Sequence, residues 1–480
     1  MFYEVISLSS TPDFVKYAAG IVPSERQLKW QETEFYAFIH FGMNTFTDSE
    51  WGSGNEDPEL FNPEELDCRQ WAKLCKLSGM KALVLTAKHH DGFCLWQTEY
   101  TDHSVRSSKW RGGKGDVVAE CAEACREFGI KFGVYISPWD KHEDSYGSGD
   151  KYNEFFKNQL RELLTNYGEL FCVWFDGACG EGANGRKQEY DWEGYYKLIR
   201  ELQPGAVISI TGPDVRWCGN EAGVGRKSEW SVVPYYHCSP LAVAAQSQSD
   251  VTKPPKKVNP TALDLGSRKV IKNCNKLIWY PAEVDVSLRK GWFYHQSDDY
   301  TVKPLAKLMD IYYNSVGANA NLILNVPPMP SGKICDRDVE ALLSMGAQLE
   351  IDFKENLADD SVMTDNRHLD GEHTGQHILE HGSDYYWHSG GSPEGSELVL
   401  DLGDEYDIER IVLGEHIATG QQVEQFTLYA KLGGKWKKLE KGTVIGYKHI
   451  CRFKEIRVRY FKLVIEKARC FATIEKFECY

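Results

Sequence analysis

The chain has 480 residues, of which 42% are hydrophobic and 26% are charged, so it is expected to form two or three folded domains and not a disordered polymer. Its 55 basic and 70 acidic residues give a net charge of −15, which argues against a nucleic-acid backbone or an anionic membrane as partner. No apolar run approaches the roughly 20 residues that a membrane-spanning helix needs.

The cysteines and the N-terminus bear on the compartment in which the protein works. The 14 cysteines are scattered singly, without a Cys-x-x-Cys pair, which predicts mostly reduced thiols and neither a zinc ribbon nor a redox motif. Residues 1–20 lack a basic segment followed by an uninterrupted apolar one, so no signal peptide is predicted. A cytoplasmic protein is expected, or a periplasmic or secreted one if an export signal has been removed. The oligomeric state is not predicted.

Strand-like and helix-like segments alternate from residue 35 onward. The predicted strands are 35–39, 82–86, 131–136, 169–175, 206–210, 228–232, 277–283 and 321–325. The predicted helices are 66–77, 116–128, 152–167, 192–202, 302–316 and 336–350. Nearly continuous apolar strands in such alternation are typical of a parallel sheet, and about eight units predict a closed (β/α)8-like TIM barrel. An open doubly wound sheet is the competitor, but no glycine-rich phosphate loop follows the first strand.

The composition changes near Leu357. Short segments with period-two hydrophobic patterning follow at 398–402, 408–413, 426–430 and 457–465, with turn residues between them. Such patterning predicts a β-sandwich of about 120 residues. We therefore expect a catalytic barrel over residues 1–356 and a C-terminal sandwich over residues 357–480.

Polar side chains occur where the predicted barrel strands end: His40, His89, His90, Tyr135 and Asp176. The carboxyl ends of barrel strands meet on one face, and that face carries the active site of barrel enzymes. A single histidine or aspartate at such a place more often has a structural role. Several at corresponding strand ends favour an active site.

Two kinds of chemistry fit this set of residues. Metal-dependent hydrolases gather His and Asp around zinc, usually from a His-x-His pair, whereas the adjacent His89 and His90 would diverge on an extended strand. Glycoside hydrolysis needs two carboxyl groups and uses neutral side chains to hold the sugar. A second acid is available at Glu221, in a loop that contains Trp217 and several glycines.

The chain resembles the α-L-fucosidases of glycoside hydrolase family 29. The resemblance covers about residues 30–350 and is carried by Phe38-Ile39-His40-Phe41-Gly42, Glu50-Trp51, Lys88-His89-His90-Asp91-Gly92-Phe93, Val173-Trp174-Phe175-Asp176-Gly177, Gly291-Trp292-Phe293-Tyr294 and residues 321–328. It implies a retaining enzyme without cofactor or metal, a barrel followed by a β-sandwich, and a fucosylated oligosaccharide or glycoconjugate as substrate.

The resemblance also implies roles for individual residues. Asp176 is expected to be the nucleophile. Glu221, in a Gly-Asn-Glu-Ala-Gly setting, stands where the branch preferring α-1,3- and α-1,4-linked fucose has its acid/base. A retaining enzyme needs these carboxyl groups roughly 5–5.5 Å apart. Glu229 is the second choice for the acid, although a structural charge at a strand edge is the simpler interpretation. The expected sugar-binding residues are His40, Glu50, Trp51, His89, His90, Tyr135 and Trp292.

The C-terminal segment resembles the galactose-binding-like modules through Asp401-Leu402-Gly403 and the β-rich end of the chain. Such a module either binds carbohydrate or supports the barrel, and both roles stay open at this point. For the whole chain, a metal-dependent barrel hydrolase and a non-catalytic fucose-binding protein remain as alternatives. The presence of both Asp176 and Glu221 argues against the non-catalytic fucose-binding protein.

Overall fold

Eight parallel strands form one sheet in the computed structural model, which describes residues 11–247, 264–380, 382 and 384–480. The strands of the N-terminal domain are β1 Phe35–Ile39, β2 Ala82–Lys88, β3 Lys131–Ile136, β4 Cys172–Phe175, β5 Val207–Ile210, β6 Arg216–Trp217, β7 Val232–Pro234, β8 Leu277–Trp279, β9 Ala282–Ser287 and β10 Ala320–Asn325. Their order in the sheet is β5-β4-β3-β2-β1-β10-β9-β6. The amide of Ile210 donates to the carbonyl oxygen of Val215 (3.0 Å), so the ends of the sheet approach each other and nearly close a barrel. The predicted barrel is confirmed.

Helices surround this sheet and cover its strands. They are α1 Asp13–Ala19, α2 Glu25–Gln31, α3 Met43–Phe46, α4 Cys68–Leu77, α5 Val117–Phe128, α6 Asp150–Asn166, α7 Trp192–Leu202, α8 Pro240–Ser247, α9 Arg268–Ile271, α10 Leu305–Ser315 and α11 Asp336–Asp352. In α5 the apolar face includes Cys121 and Cys125, both buried, which act there as small hydrophobic residues. Among the described residues no helix is both long and apolar enough to cross a bilayer.

The sixth and seventh predicted strands are misplaced. Segment 228–232 contains only the first residue of β7, and segment 277–283 contains β8 and the first two residues of β9. Strands β7 and β8 pair with each other in a separate two-stranded sheet. The barrel strands are instead the two-residue β6, too short to show a pattern, and β9, where Glu283, Asp285 and Ser287 alternate with apolar residues. The two outer strands were predicted because they are apolar. Strand β9 was not, because it carries polar residues that face the inside of the barrel.

The C-terminal domain is the predicted antiparallel β-sandwich. Its strands are β11 Val362–Asp365, β12 Trp387–His388, β13 Ser396–Gly414, β14 Val423–Leu432, β15 Lys435–Gly442, β16 His449–Ala468, β17 Thr473–Ile474 and β18 Lys476–Cys479. The predicted strands 398–402 and 408–413 are two parts of β13. Its register with β16 shifts between them, so one long strand carries two periodic runs.

The sandwich is hydrogen-bonded to the barrel close to the loop between α10 and β10. The amide of Ile450 donates to the carbonyl oxygen of Gly317 (3.0 Å), and the amide of Asn319 donates to that of Lys448 (2.9 Å). The fully buried side chain of Gln421 accepts a hydrogen bond from the Ser231 amide at 2.7 Å. The sandwich therefore supports barrel loops.

A buried ion pair joins the segment after β9 to α11. Nε of Arg289 lies 3.0 and 2.8 Å from the two carboxylate oxygens of Asp338, and both side chains are 0% exposed. We expect Asp338→Ala to lower the free energy of unfolding by about 3–5 kcal/mol, because it leaves a buried guanidinium without its main partner. Urea unfolding followed by tryptophan fluorescence measures the change.

Glu25→Ala is the matched control, since the Glu25–Lys29 pair on α2 is exposed and such pairs contribute little to stability. Equal effects of the two substitutions would contradict the role assigned to burial.

Candidate active site

One cavity opens at the carboxyl ends of the barrel strands, and it collects the side chains singled out from the sequence. All nine predicted site residues line it: His40, Glu50, Trp51, His89, His90, Tyr135, Asp176, Glu221 and Trp292. They come from segments between residues 40 and 292, and the parallel order of the sheet brings them to one face.

Asp176 follows β4 and has its side chain 23% exposed to the cavity. The Tyr135 hydroxyl donates to its Oδ2 at 2.9 Å, and the Ala178 amide donates to its Oδ1 at 2.8 Å. Donors to both oxygens hold the carboxylate in one orientation. The fully buried strand before it, with four residues inside the barrel wall, fixes the position of its backbone.

Glu221 lies in a tight loop that begins directly after β6. The side chain of Asn220 folds this loop, because its Oδ1 accepts from the Ala222 amide (3.0 Å) and its Nδ2 donates to the Val224 carbonyl oxygen (3.0 Å). Gly223 has φ +73°, and a Cβ there would lie 2.8 Å from Ile311 on α10. Only glycine suits that position, so the loop packs against the barrel with Glu221 at the cavity.

The surroundings of Glu221 favour a protonated acid. Burial and then the negative charge of Asp176 raise the pKa of Glu221 to about 7, against a weaker lowering by a hydrogen bond with the Trp292 side chain. A carboxyl group that keeps its proton close to neutrality can act as a general acid. The two acids thus lie in one cavity in unlike environments.

Glu229 is not among the residues that line this cavity. Its carboxylate is 1% exposed and pairs with the guanidinium groups of Arg216 and Arg226. Burial raises the pKa of Glu229, but the two arginines outweigh it and lower the pKa overall. The buried ion pair favours the structural interpretation of Glu229 over a role as the acid.

The hydrogen-bond network fixes the tautomer of His40. The Asn325 Nδ2 donates to the Trp292 carbonyl oxygen at 2.8 Å, so the amide oxygen of Asn325 faces His40 Nδ1 at 2.8 Å. Nδ1 must then carry the hydrogen, and Nε2 is left as an acceptor. Burial lowers the pKa of His40 to about 3, so the ring is neutral.

His90 has the same tautomer as His40. The Ser137 hydroxyl donates to the Trp139 carbonyl oxygen (2.7 Å), so it accepts from Nδ1 of His90 at 2.6 Å. The Nε2 acceptor of His90 lies 3.7 Å from Oδ2 of Asp176. Burial, opposed by Asp176, lowers the pKa of His90 to about 4.

His89 has the opposite tautomer. The Asn44 amide nitrogen donates to the Glu50 carbonyl oxygen and lies 3.2 Å from Nδ1 of His89, so Nδ1 accepts and Nε2 carries the hydrogen. Burial and neighbouring histidines hold the pKa of His89 well below its usual value. The three rings therefore present two acceptors and one donor, all uncharged.

Ligand atoms of His89, His90 and Asp176 lie within 4.8 Å of one another, a spacing that a metal ion could use. The same atoms can hold the hydroxyl groups of a sugar. The geometry of these three residues therefore allows either metal binding or sugar binding.

Glu50 and Trp51 shape the rim of the cavity. The Glu50 carboxylate accepts from the amides of Trp292 (2.9 Å) and Phe293 (3.1 Å), and His295 Nε2 lies 2.7 Å from it. Glu50 thus fixes the segment that carries Trp292. Trp51 is 57% exposed and packs on His90, with ring centroids 5.4 Å apart.

Several residues that line the cavity were not predicted from the sequence. Phe38, Trp174 and Trp217 form an apolar wall, with the rings of Phe38 and Trp174 5.0 Å apart. A further acid, Asp285 on β9, lines the cavity beside Glu50, Asp176 and Glu221. The alternation Glu283-Val284-Asp285-Val286-Ser287 was the available signal, and it was lost when the strand was placed at 277–283.

Comparisons with known proteins agree with this architecture. Residues 30–353 match the α-L-fucosidase family model, and residues 347–477 match the F5/8 type C domain. The α-L-fucosidase 1 of Arabidopsis thaliana is 42% identical over 486 residues, covering 98% of this chain and 90% of the plant protein.

Solved structures give the same result. A Ruminococcus gnavus GH29 fucosidase in complex with fucose has a TM-score of 0.84 at 31% identity, covering 96% of this chain and 95% of that chain. A glycoside hydrolase 29 family member from an unknown rumen bacterium has a TM-score of 0.79 at 38% identity, covering 96% and 77%. The barrel with its acid-lined cavity, the sandwich behind it and these matches show that the chain belongs to glycoside hydrolase family 29, the α-L-fucosidases.

Proposed function

We propose that this α-L-fucosidase is a retaining enzyme that releases terminal α-1,3- or α-1,4-linked L-fucose from branched, Lewis-type glycans by double displacement. The observation that carries the mechanism is the pairing of Asp176 and Glu221 in one cavity, where burial and then the charge of Asp176 raise the pKa of Glu221 to about 7. One acid is then ionised while the other holds a proton, as the first step requires.

In the first step a carboxylate oxygen of Asp176 attacks the anomeric carbon. The bond to the leaving oxygen breaks, and Glu221 transfers its proton to that oxygen. In the second step the Glu221 carboxylate takes a proton from water, whose oxygen displaces Asp176 from the anomeric carbon. Both displacements invert the centre, so fucose leaves in its original α configuration and each carboxyl group returns to its starting state.

The rest of the cavity suits an uncharged deoxy sugar. The acceptor nitrogens of His40 and His90 and the donor nitrogen of His89 match hydroxyl groups without adding charge. Phe38 and Trp174 offer an apolar wall for the methyl group at C6 of fucose. Binding of this kind holds the ring in place for attack by Asp176.

The linkage preference is supported by the position of the acid and by the open rim. Glu221 lies in the Gly-Asn-Glu-Ala-Gly loop. By resemblance, this is the sequence setting in which the branch of the family that prefers α-1,3- and α-1,4-linked fucose has its acid. The exposed Trp51 at the rim gives a second sugar ring of a branched glycan a flat face on which to stack.

Removal of Glu221 tests the acid/base assignment. We expect Glu221→Ala to lower kcat/KM by about 10²–10⁴-fold on natural glycans, and much less on aryl fucosides whose leaving group needs no proton. Added azide should restore turnover, because it attacks the glycosyl–enzyme without a base, and the product should be α-fucosyl azide.

Glu229→Ala is the comparison, because Glu229 is the alternative acid predicted from the sequence and lies outside the cavity. Rescue by azide in Glu229→Ala but not in Glu221→Ala would reverse the assignment.

In the unaltered enzyme kcat/KM should fall as the pH rises through about 7, since Glu221 then loses its proton. A chelator should change neither result if His89, His90 and Asp176 hold sugar and not metal.

A product assay tests the linkage preference. The enzyme is incubated with a Lewis-type trisaccharide or with α-1,2-fucosyl lactose at equal concentration, and free fucose is measured over time. We expect faster release from the Lewis-type glycan, because the rim accepts a branched acceptor. Equal or faster release from α-1,2-fucosyl lactose would contradict the proposed preference and leave the acid assignment intact.

A further inference from the structure

Asp285 is a buried acid in the cavity that the double displacement does not use. It lies on β9, lines the same cavity as Asp176 and Glu221, and is only 4% exposed. The indole Nε1 of Trp217 donates to its Oδ1 at 2.6 Å. The Asp285 carboxyl group is thus bonded by Trp217 and by its own backbone amide, and the residue lines the space in which the sugar would lie.

The groups around Asp285 provide no positive charge to hold it ionised. Among the described residues it forms no ion pair, and the charges that act on it most strongly are those of Glu221 and Asp176. On β9 itself the nearest titratable group is Glu283, another buried acid. On β6 the guanidinium of Arg216 is paired with Glu229.

The neighbouring strand β10 contributes no charge either, since its polar residues are Asn321 and Asn325. A buried carboxyl group among other carboxyl groups is neutral, because ionising it would place a further negative charge in a poorly solvated site. Burial followed by Glu221 raises the pKa of Asp285 well above its usual value, in agreement with this argument.

We propose that Asp285 is an uncharged carboxylic acid that binds the sugar, with its carbonyl oxygen accepting from Trp217 and its O–H group donating to an oxygen atom of the bound fucose. This inference rests on the proposed function, and it adds a binding group to it. The Asp285 O–H group adds a hydrogen-bond donor to a cavity in which His40 and His90 present acceptor nitrogens. A neutral acid supplies such a donor without adding charge beside Asp176.

Two substitutions separate this role from a purely electrostatic one. Asp285→Ala removes both the acceptor for Trp217 and the donor, and it should weaken fucose binding about tenfold or more in a calorimetric titration. Asp285→Asn keeps a carbonyl acceptor and replaces O–H by N–H, so it should recover most of that loss. The basic limb of kcat/KM in Asp285→Asn should stay at the pH set by Glu221.

Infrared spectroscopy gives a readout that does not depend on turnover. At about one pH unit above the titration of Glu221, the spectrum of the unaltered enzyme minus that of Asp285→Asn should show the carbonyl band of a protonated carboxylic acid. Thermal unfolding of each variant checks that the fold is retained.

The inference is overturned if that band is absent, if Asp285→Asn binds fucose as poorly as Asp285→Ala, or if both variants bind it like the unaltered enzyme. A shift of the basic limb to lower pH in Asp285→Asn would also overturn it, because it would show that an ionised Asp285 acts on Glu221. Failure of the proposed mechanism would instead appear as absent azide rescue in Glu221→Ala.

Discussion

The negative charge of Asp176 beside the half-buried carboxyl group of Glu221 is the interaction on which the catalytic site depends. Two carboxylates in a poorly solvated cavity repel each other, so one of them keeps a proton, and here the more weakly hydrogen-bonded Glu221 does so. Asp176 has two neutral donors that hold its oxygens. The three neutral histidines fit this arrangement, since a cation beside Glu221 would lower its pKa and favour loss of the proton that the first step needs.

The scaffold around this pair serves to keep it in place. Asp176 follows a strand in the barrel wall, whereas Glu221 is on a loop and needs separate support. That support comes from the Asn220 turn within the loop and from the buried Glu229 pair with Arg216 and Arg226 behind it. The sandwich reaches the same region, because Gln421 bonds to the Ser231 amide and to the Glu229 carbonyl oxygen. Support of the acid loop is thus one physical role of the C-terminal domain.

Sequence patterns predicted the parts of the fold that bury apolar residues on both sides. Buried strands such as β1 and β4 read as apolar runs, and the polar residue after each one marks the active face of the barrel. The strand-end residues lie around one cavity together with Glu221, which was found in a loop, and with Glu50, Trp51 and Trp292, which the family resemblance implied; their individual roles stay predictions. The pattern failed at β6 and β9, because β6 has only two residues and β9 carries acids inside the barrel. Asp285 was lost for that reason. The histidine tautomers could not be predicted from the sequence either. They depend on hydrogen bonds with Asn325, Ser137 and Asn44, each of which is distant in sequence from the histidine it contacts.

The central claim is that a covalent bond forms between fucose and Asp176. The most direct test is to incubate the enzyme with a 2-deoxy-2-fluoro-fucosyl donor that has a good leaving group, so that the glycosyl–enzyme accumulates, and to map the label by peptide mass spectrometry. We predict one fluorofucosyl group on the peptide containing Asp176 and none in Asp176→Ala. Absence of a label in the unaltered enzyme, or a label on another acid such as Glu221 or Asp285, would contradict the account.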